Sequence, residues 1–185
     1  MQLELDDLSE ILNRINTWIT NCDTKVSIIL SAYGVLAGIL LAMDYVSKFV
    51  TIFRVIFNNL SLGSAILIFL GVLITLFVLF RGLFYLIKSL FAKIEVEEFS
   101  SRGVKNDSVI FFSTIAKNKS LSEYRTKLIQ YSSDEMVDDF ISQIYICSLI
   151  CDKKFSNYQK GLMNLLFGTI SLIVLLFFLV IQTYW

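Results

Sequence analysis

Apolar positions in this chain fall into three uninterrupted blocks separated by stretches of helical periodicity. Val26–Met43 carries no charge and is bounded by Asp23 and Lys25 before it and Asp44 after it. Ser61–Phe80 is charge-free and closes at Arg81. Gly161–Trp185 is charge-free as well, with Ile-Val-Leu-Leu-Phe-Phe-Leu-Val at 173–180 as its core. Each is near the ~20 apolar residues that a helix needs to cross ~30 Å of hydrocarbon. Between the blocks the pattern changes to amphipathic. Leu5, Leu8, Leu12, Ile15, Ile19 and Cys22 recur every three or four residues, which predicts a helix that runs into the first span without Pro or Gly to stop it. From Ser133 the positions Val137, Ile141, Ile144, Ser148, Cys151, Phe155, Tyr158 and Leu162 continue at heptad-like spacing into the third span.

The expected fold is therefore an all-α membrane protein whose three transmembrane helices continue into a small cytoplasmic helical bundle. The boundaries read from the pattern are an N-terminal amphipathic helix at 1–24, spans at 25–44, 61–84 and 161–183, an outer loop or interfacial helix at 45–60, and a helical sensor region at 85–160. A helix continuous from Ser133 to about Thr183 would be a rod of about 75 Å at ~1.5 Å per residue. With about 30 Å of it in the membrane, some 40 Å is left in the cytoplasm. Such a rod can carry motion from one to the other.

Local signals refine this. Ser120 with Glu123, and Ser132 with Glu135, are capping boxes that open two helices, the second flanked by Tyr131 and Met136 as a hydrophobic staple. Ser108–Phe112 is strand-like in composition, but a lone strand has no partner here, so a helix is expected. Gly103–Asp107 is the expected loop. Gly34 and Gly38 form a small-xxx-small pair suited to helix–helix contact. The acidic approach to the first block and the lack of a small-residue cleavage site at Met43-Asp44 argue against a cleaved signal peptide.

Basic residues set the orientation. Arg81, Lys88, Lys93, Arg102 and Lys105 follow the second span, and Lys153, Lys154 and Lys160 precede the third. By the positive-inside rule, residues 81–160 and the N-terminus are cytoplasmic in a bacterial inner membrane and the C-terminus is outside.

Composition narrows function. Of 185 residues 56% are hydrophobic and 17% charged, with mean hydropathy +0.69. Sixteen basic residues balance sixteen acidic ones, which leaves no electrostatic footprint for nucleic acid. There is no histidine, so Ser-His-Asp and Cys-His catalysis and His-ligated zinc are excluded. No Asp, Glu, Lys or Arg lies inside the three apolar blocks, although Arg81 borders one, so the residues that usually mark a proton or ion pathway are missing. Cys147 and Cys151, one helical turn apart, read either as half of a metal or redox site or as two small hydrophobes on a packed face, and the second suits a chain with one further cysteine. The carboxylates Asp134, Glu135, Asp138 and Asp139 suit a solvated first helical turn, favoured by the helix dipole. No enzyme and no cofactor are expected.

Three stretches bear a likeness to a known family: Cys22-Asp-Thr-Lys-Val-Ser-Ile-Ile-Leu30 at the entry to the first span, Ile110-Phe-Phe112 with Glu123-Tyr124 downstream, and Asp139-Phe-Ile-Ser-Gln-Ile-Tyr145 continuing to Lys153-Lys-Phe155. In order and spacing they resemble the transmembrane effectors of Pycsar anti-phage systems, across about residues 8–170. Phe155 stands where that family usually has Tyr, and Ser113 where Gly often follows the Phe pair. The resemblance implies a sensor–effector. A cognate cyclase answers infection with a cyclic nucleotide, cUMP or cCMP; the effector binds it, oligomerises and impairs the inner membrane, causing abortive infection. Candidate ligand residues are Asp23, Lys25, Tyr124, Arg125, Gln143, Lys153, Lys154 and Tyr158, with Lys127 and Tyr145 nearby in the same regions. Lysine and arginine would meet the phosphate and tyrosine the base. The alternative is a constitutive membrane scaffold or immunity-type protein with no small ligand, whose N-terminal stripe binds a protein partner.

Overall fold

The computed structural model describes residues 4–42, 61–92 and 107–184, together with Ser47, Val50, Thr51 and Arg54. Five helices cover most of these: α1 Leu5–Ala42, α2 Leu62–Leu90, α3 Phe112–Ile115, α4 Leu121–Gln130 and α5 Ser133–Tyr184, with no strand among the described residues. Three of them, α1, α2 and α5, are long and apolar enough to cross a membrane. The chain is an all-α membrane protein. The amphipathic entry and the first span are one helix of 38 residues, and α5 is one helix of 52 residues. Asp107 of the expected loop at Gly103–Asp107 is non-helical, and the rest of that loop, residues 103–106, lies outside the described residues. Most of the expected outer segment 45–60 does too, although Ser47, Val50, Thr51 and Arg54 are helical.

The chain divides into two compact units. Met1–Cys22 with Phe91–Phe155 forms the first, here the helical unit, and Asp23–Leu90 with Ser156–Trp185 forms the second, the span unit.

In the span unit, α2 and α5 run antiparallel in one close register. A Cβ added to Gly82 would lie 2.9 Å from the backbone nitrogen of Leu165 and 2.8 Å from its Cγ. One added to Gly161 would lie 2.6 Å from Leu86 Cδ2, and one at Gly168 2.7 Å from Leu79 Cδ2. Each glycine is thus the hole for a leucine of the facing helix, and Leu86 and Leu165 are fully buried in consequence. Further along the seam, Thr75 and Ser171 share a hydroxyl hydrogen bond of 2.8 Å. Tyr33 of α1 and Thr169 of α5 share another of 2.6 Å. Small residues that admit close backbones and hydroxyls that pair across helices are what holds helices together where burial from water contributes little. The outward side chains, Ile28, Val35, Leu67, Phe77, Phe167 and Phe177 among them, are more than half exposed and apolar, as a lipid-facing surface requires. Gly34 and Gly38 have nothing within 4 Å of the added Cβ, so the expected contact at this pair is not made within the described chain.

In the helical unit, Leu8, Ile15 and Cys22 of α1, spaced one heptad apart, are buried. Ile15 and Trp18 line one side of a groove of about 410 Å³, and Ser148, Cys151, Asp152 and Phe155 of α5 line the other. Of the apolar stripe that the sequence offers to a protein partner, Leu8, Ile15 and Cys22 are thus covered inside the chain, Leu12 and Ile19 are half-buried and Leu5 is exposed.

Both capping boxes form. Ser120 Oγ accepts from Glu123 N at 3.2 Å, with the Glu123 carboxylate returning to Lys119 N at 2.7 Å. Ser132 Oγ accepts from Glu135 N at 3.2 Å, and Glu135 Oε2 accepts from Ser132 N at 2.8 Å. The expectation of helix at Ser108–Phe112 is corrected: Ser108–Phe111 is non-helical and only α3 follows. Ser108 Oγ accepts from the backbone N–H groups of Ile110 and Phe111, at 3.2 and 3.0 Å. A serine hydroxyl that captures the donors two and three residues on replaces the helical ladder with a turn.

Candidate functional site

Asp139 organises the helical unit. It is wholly buried on α5, and its Oδ2 accepts a hydrogen bond from Val109 N at 2.8 Å. Among the described residues its Oδ1 has no hydrogen-bond partner. The buried Oδ2 hydrogen bond ties the Ser108 turn to the long helix. Tyr124 holds the same turn from the other side, its hydroxyl donating to Val109 O at 2.9 Å. Thr114 Oγ1 donates to Ser108 O at 2.6 Å. Ser108 and Val109 are buried as a result.

This turn positions α3 and α4 so that a polar cleft of about 770 Å³ opens between them. One wall is Thr114, Lys117 and Asn118; the other is Glu123, Thr126, Lys127 and Gln130, with Asp107 at the edge. Lys127 Nζ is ion-paired with Asp107. Asn118 Nδ2 donates to the carbonyls of Thr114 and Ile115, at 3.2 and 2.8 Å, which fixes its amide. The cleft thus offers two ammonium groups, two carboxylates, two amides and two hydroxyls. That set suits a polar ligand far better than an apolar one.

The sequence-derived candidates are spread more widely. Tyr124, Arg125, Gln143, Lys153 and Lys154 belong to the helical unit, whereas Asp23, Lys25 and Tyr158 belong to the span unit. Tyr124 uses its hydroxyl to hold the turn. Arg125 is exposed on α4 and Lys153 on α5. Gln143, one turn beyond Asp139, and Lys154 are both buried. Lys25 is exposed, while Asp23 and Tyr158 are half-buried. None of the eight lines the polar cleft. Lys127, named beside them for the phosphate, does, with Glu123, Thr126 and Gln130, and the three- and four-residue spacing of these four on one face of α4 was the available signal. By pattern alone that face is a solvated one.

The cysteines are packing residues. Burial pushes the Cys147 thiol above its ordinary range, with Cys151 adding to the rise. Burial does the same at Cys151, helped by Cys22 and Asp152 and opposed by Lys154. Raised thiols are poor nucleophiles and poor metal ligands. The described residues hold no group of three metal-ligating side chains.

Comparison with known proteins agrees with this architecture. The family model for the Pycsar effector protein domain matches residues 7–182, which takes in both units. The curated Pycsar effector protein GmPycTM of Gulbenkiania mobilis is 30% identical over 184 residues, covering 92% of this chain and 90% of that protein. No solved structure matches the chain. With the match running over nearly its whole length, the chain belongs to the Pycsar effector protein family, whose members are membrane effectors of anti-phage defence.

Proposed function

We propose that this protein senses a cyclic nucleotide, cUMP or cCMP, through its helical unit, and that binding leads it to oligomerise and impair the inner membrane, so that an infected cell stops growing before phage mature. The observation that carries this reading is the family match over residues 7–182, which spans the helical unit and the membrane helices of one chain. Family membership implies a signal made by a cyclase and association with a membrane.

Physical argument supports the rest. Both α1 and α5 contribute residues to each unit, so a ligand that repacks their extramembrane turns acts on the same helices that cross the bilayer. Three spans are too few to enclose a conducting path, so the lesion belongs to a homo-oligomer. Residues 81–160 and the N-terminus face the cytoplasm, where a cyclase product accumulates, and the C-terminus faces out. The competing scaffold reading relied on an apolar N-terminal stripe in want of a partner, and that stripe is buried at Leu8, Ile15 and Cys22.

The test is thermal unfolding of the detergent-purified protein against cUMP, cCMP, cAMP, cGMP and cyclic dinucleotides, followed by dye release from liposomes with the ligand that binds. A ligand at one hundred times its Kd adds about 2.7 kcal/mol, a visible shift. A flat panel, or liposomes that never leak at saturating ligand, overturns the reading.

A further inference from the structure

The polar cleft between α3 and α4 holds an ion pair of unequal partners. Lys127 is seated in the wall of α4 with its side chain 27% exposed, whereas the Asp107 side chain is 75% exposed at the cleft edge. One partner is fixed on a capped helix, and the other stands in water on a turn. Such a pair is easily exchanged: the carboxylate regains hydration when it leaves, and an exposed ion pair contributes little to hold it. Lys117, across the cleft, makes no ion pair among the described residues.

Resting on the reading that the helical unit senses a cyclic nucleotide, we propose that this cleft is the ligand site, that Lys117 and Lys127 receive the phosphate, and that Asp107 is a built-in competitor occupying Lys127 until the ligand displaces it. Charge supports this assignment. Lys117 and Lys127 are balanced by Asp107 and by Glu123, whose carboxylate is held at the start of α4 by Lys119 N. The resting lining is neutral and attracts anions weakly. Once Asp107 swings out, the lining carries one net positive charge, which matches the single charge of a cyclic mononucleotide phosphodiester and not the two of a cyclic dinucleotide. The Gln130 amide adds a paired donor and acceptor of the kind that reads a base edge, and Asn118 adds an acceptor. Asn118 is already held with both of its donor contacts made to Thr114 O and Ile115 O, so its oxygen is the group left for the base.

The proposal predicts a gain as well as losses. Binding of cUMP and of cCMP to the full-length, detergent-purified protein is measured by calorimetry for wild type and for Asp107→Asn, Lys117→Gln, Lys127→Gln and the Asp107→Asn/Lys127→Gln double variant. Removing the competitor tightens binding about two- to fivefold, the fold-change equivalent of an exposed ion pair. Removing Lys127 weakens binding about tenfold or more, as loss of a charged hydrogen bond does. Asp107→Asn brings no gain when Lys127 is already Gln, because the two act on one contact. A cyclic dinucleotide binds more weakly than the mononucleotide. If wild type binds neither probe, the sensing reading and this site fall together. If wild type binds and both lysine variants bind equally well, the site lies elsewhere and the proposal is overturned while the sensing reading stands. If Asp107→Asn weakens binding, the competitor role is overturned. Circular dichroism checks the fold of each variant. Should Lys127→Gln fail that check, the exposed Lys117 and Asp107 variants decide the matter.

Discussion

Gly82→Ala is the most direct test of how the membrane helices are held. The added Cβ would sit 2.8 Å from Leu165 Cγ and, more seriously, 2.9 Å from Leu165 N. Ordinary carbon contacts lie near 3.5–4.0 Å, so α2 and α5 must part by several tenths of an ångström along a seam that also includes Gly161 against Leu86 and Gly168 against Leu79. A leucine tip can rotate away, but a backbone nitrogen cannot without moving its helix. Overpacking of this kind costs about 1–3 kcal/mol. Against it stands the intrinsic gain of Ala over Gly in a helix, about 1 kcal/mol. Gly38→Ala is the control, because nothing lies within 4 Å of its added Cβ and only the gain applies. The propensity term cancels between the two variants, so Gly82→Ala should be about 1–3 kcal/mol less stable than Gly38→Ala. At roughly 2–4 °C per kcal/mol for a chain of this size, its Tm should be about 2–12 °C lower. The assay is scanning fluorimetry of both proteins in one detergent at one concentration. A Gly82→Ala protein as stable as Gly38→Ala would refute the close-seam argument.

Three further perturbations address other contacts. Asp139→Ala strands the Val109 N–H in the core, at a cost of about 1–3 kcal/mol, and should speed hydrogen exchange at 108–111; Asp139→Asn keeps an acceptor and should lose less in both measurements. Thr75→Val removes the hydrogen bond to Ser171 and should lower stability by about 0.6 kcal/mol, a typical value for such pairs in membranes, with no further loss when Ser171→Ala is added. Cys147 and Cys151 have thiol pKa values raised chiefly by burial. Both should therefore stay protonated and label slowly with iodoacetamide at pH 7.5, and equal rates with glutathione would contradict their burial. The same sign leaves stability untouched below the ordinary thiol pKa of about 8.5 and lowers it progressively as pH climbs from there to the raised values.

The legible part of this protein was whatever depends on residues near one another in sequence. A charge-free run near the length of the bilayer core reads as a spanning helix, because lipid leaves backbone groups no other partner, and the membrane parts of α1, α2 and α5 follow from that alone. Capping at Ser120 and Ser132 is equally local, since donor and acceptor lie three residues apart. Heptad spacing at Leu8, Ile15 and Cys22 announced a buried face but not what would cover it.

Only the tertiary structure decided the remainder. Whether a glycine is a hole for a facing leucine, as at Gly82, Gly161 and Gly168, or open, as at Gly34 and Gly38, depends on the register of a helix far away in the chain. Asp139 looked like one of four solvated carboxylates at a helix start, yet it is the buried anchor of a turn thirty residues upstream. Lys127 and Asp107 meet across a loop and a helix, so no spacing rule could have paired them. Sequence pattern reports which residues share a face. The identity of the surface opposite, and hence the polar cleft, is set by long-range packing that the pattern does not contain.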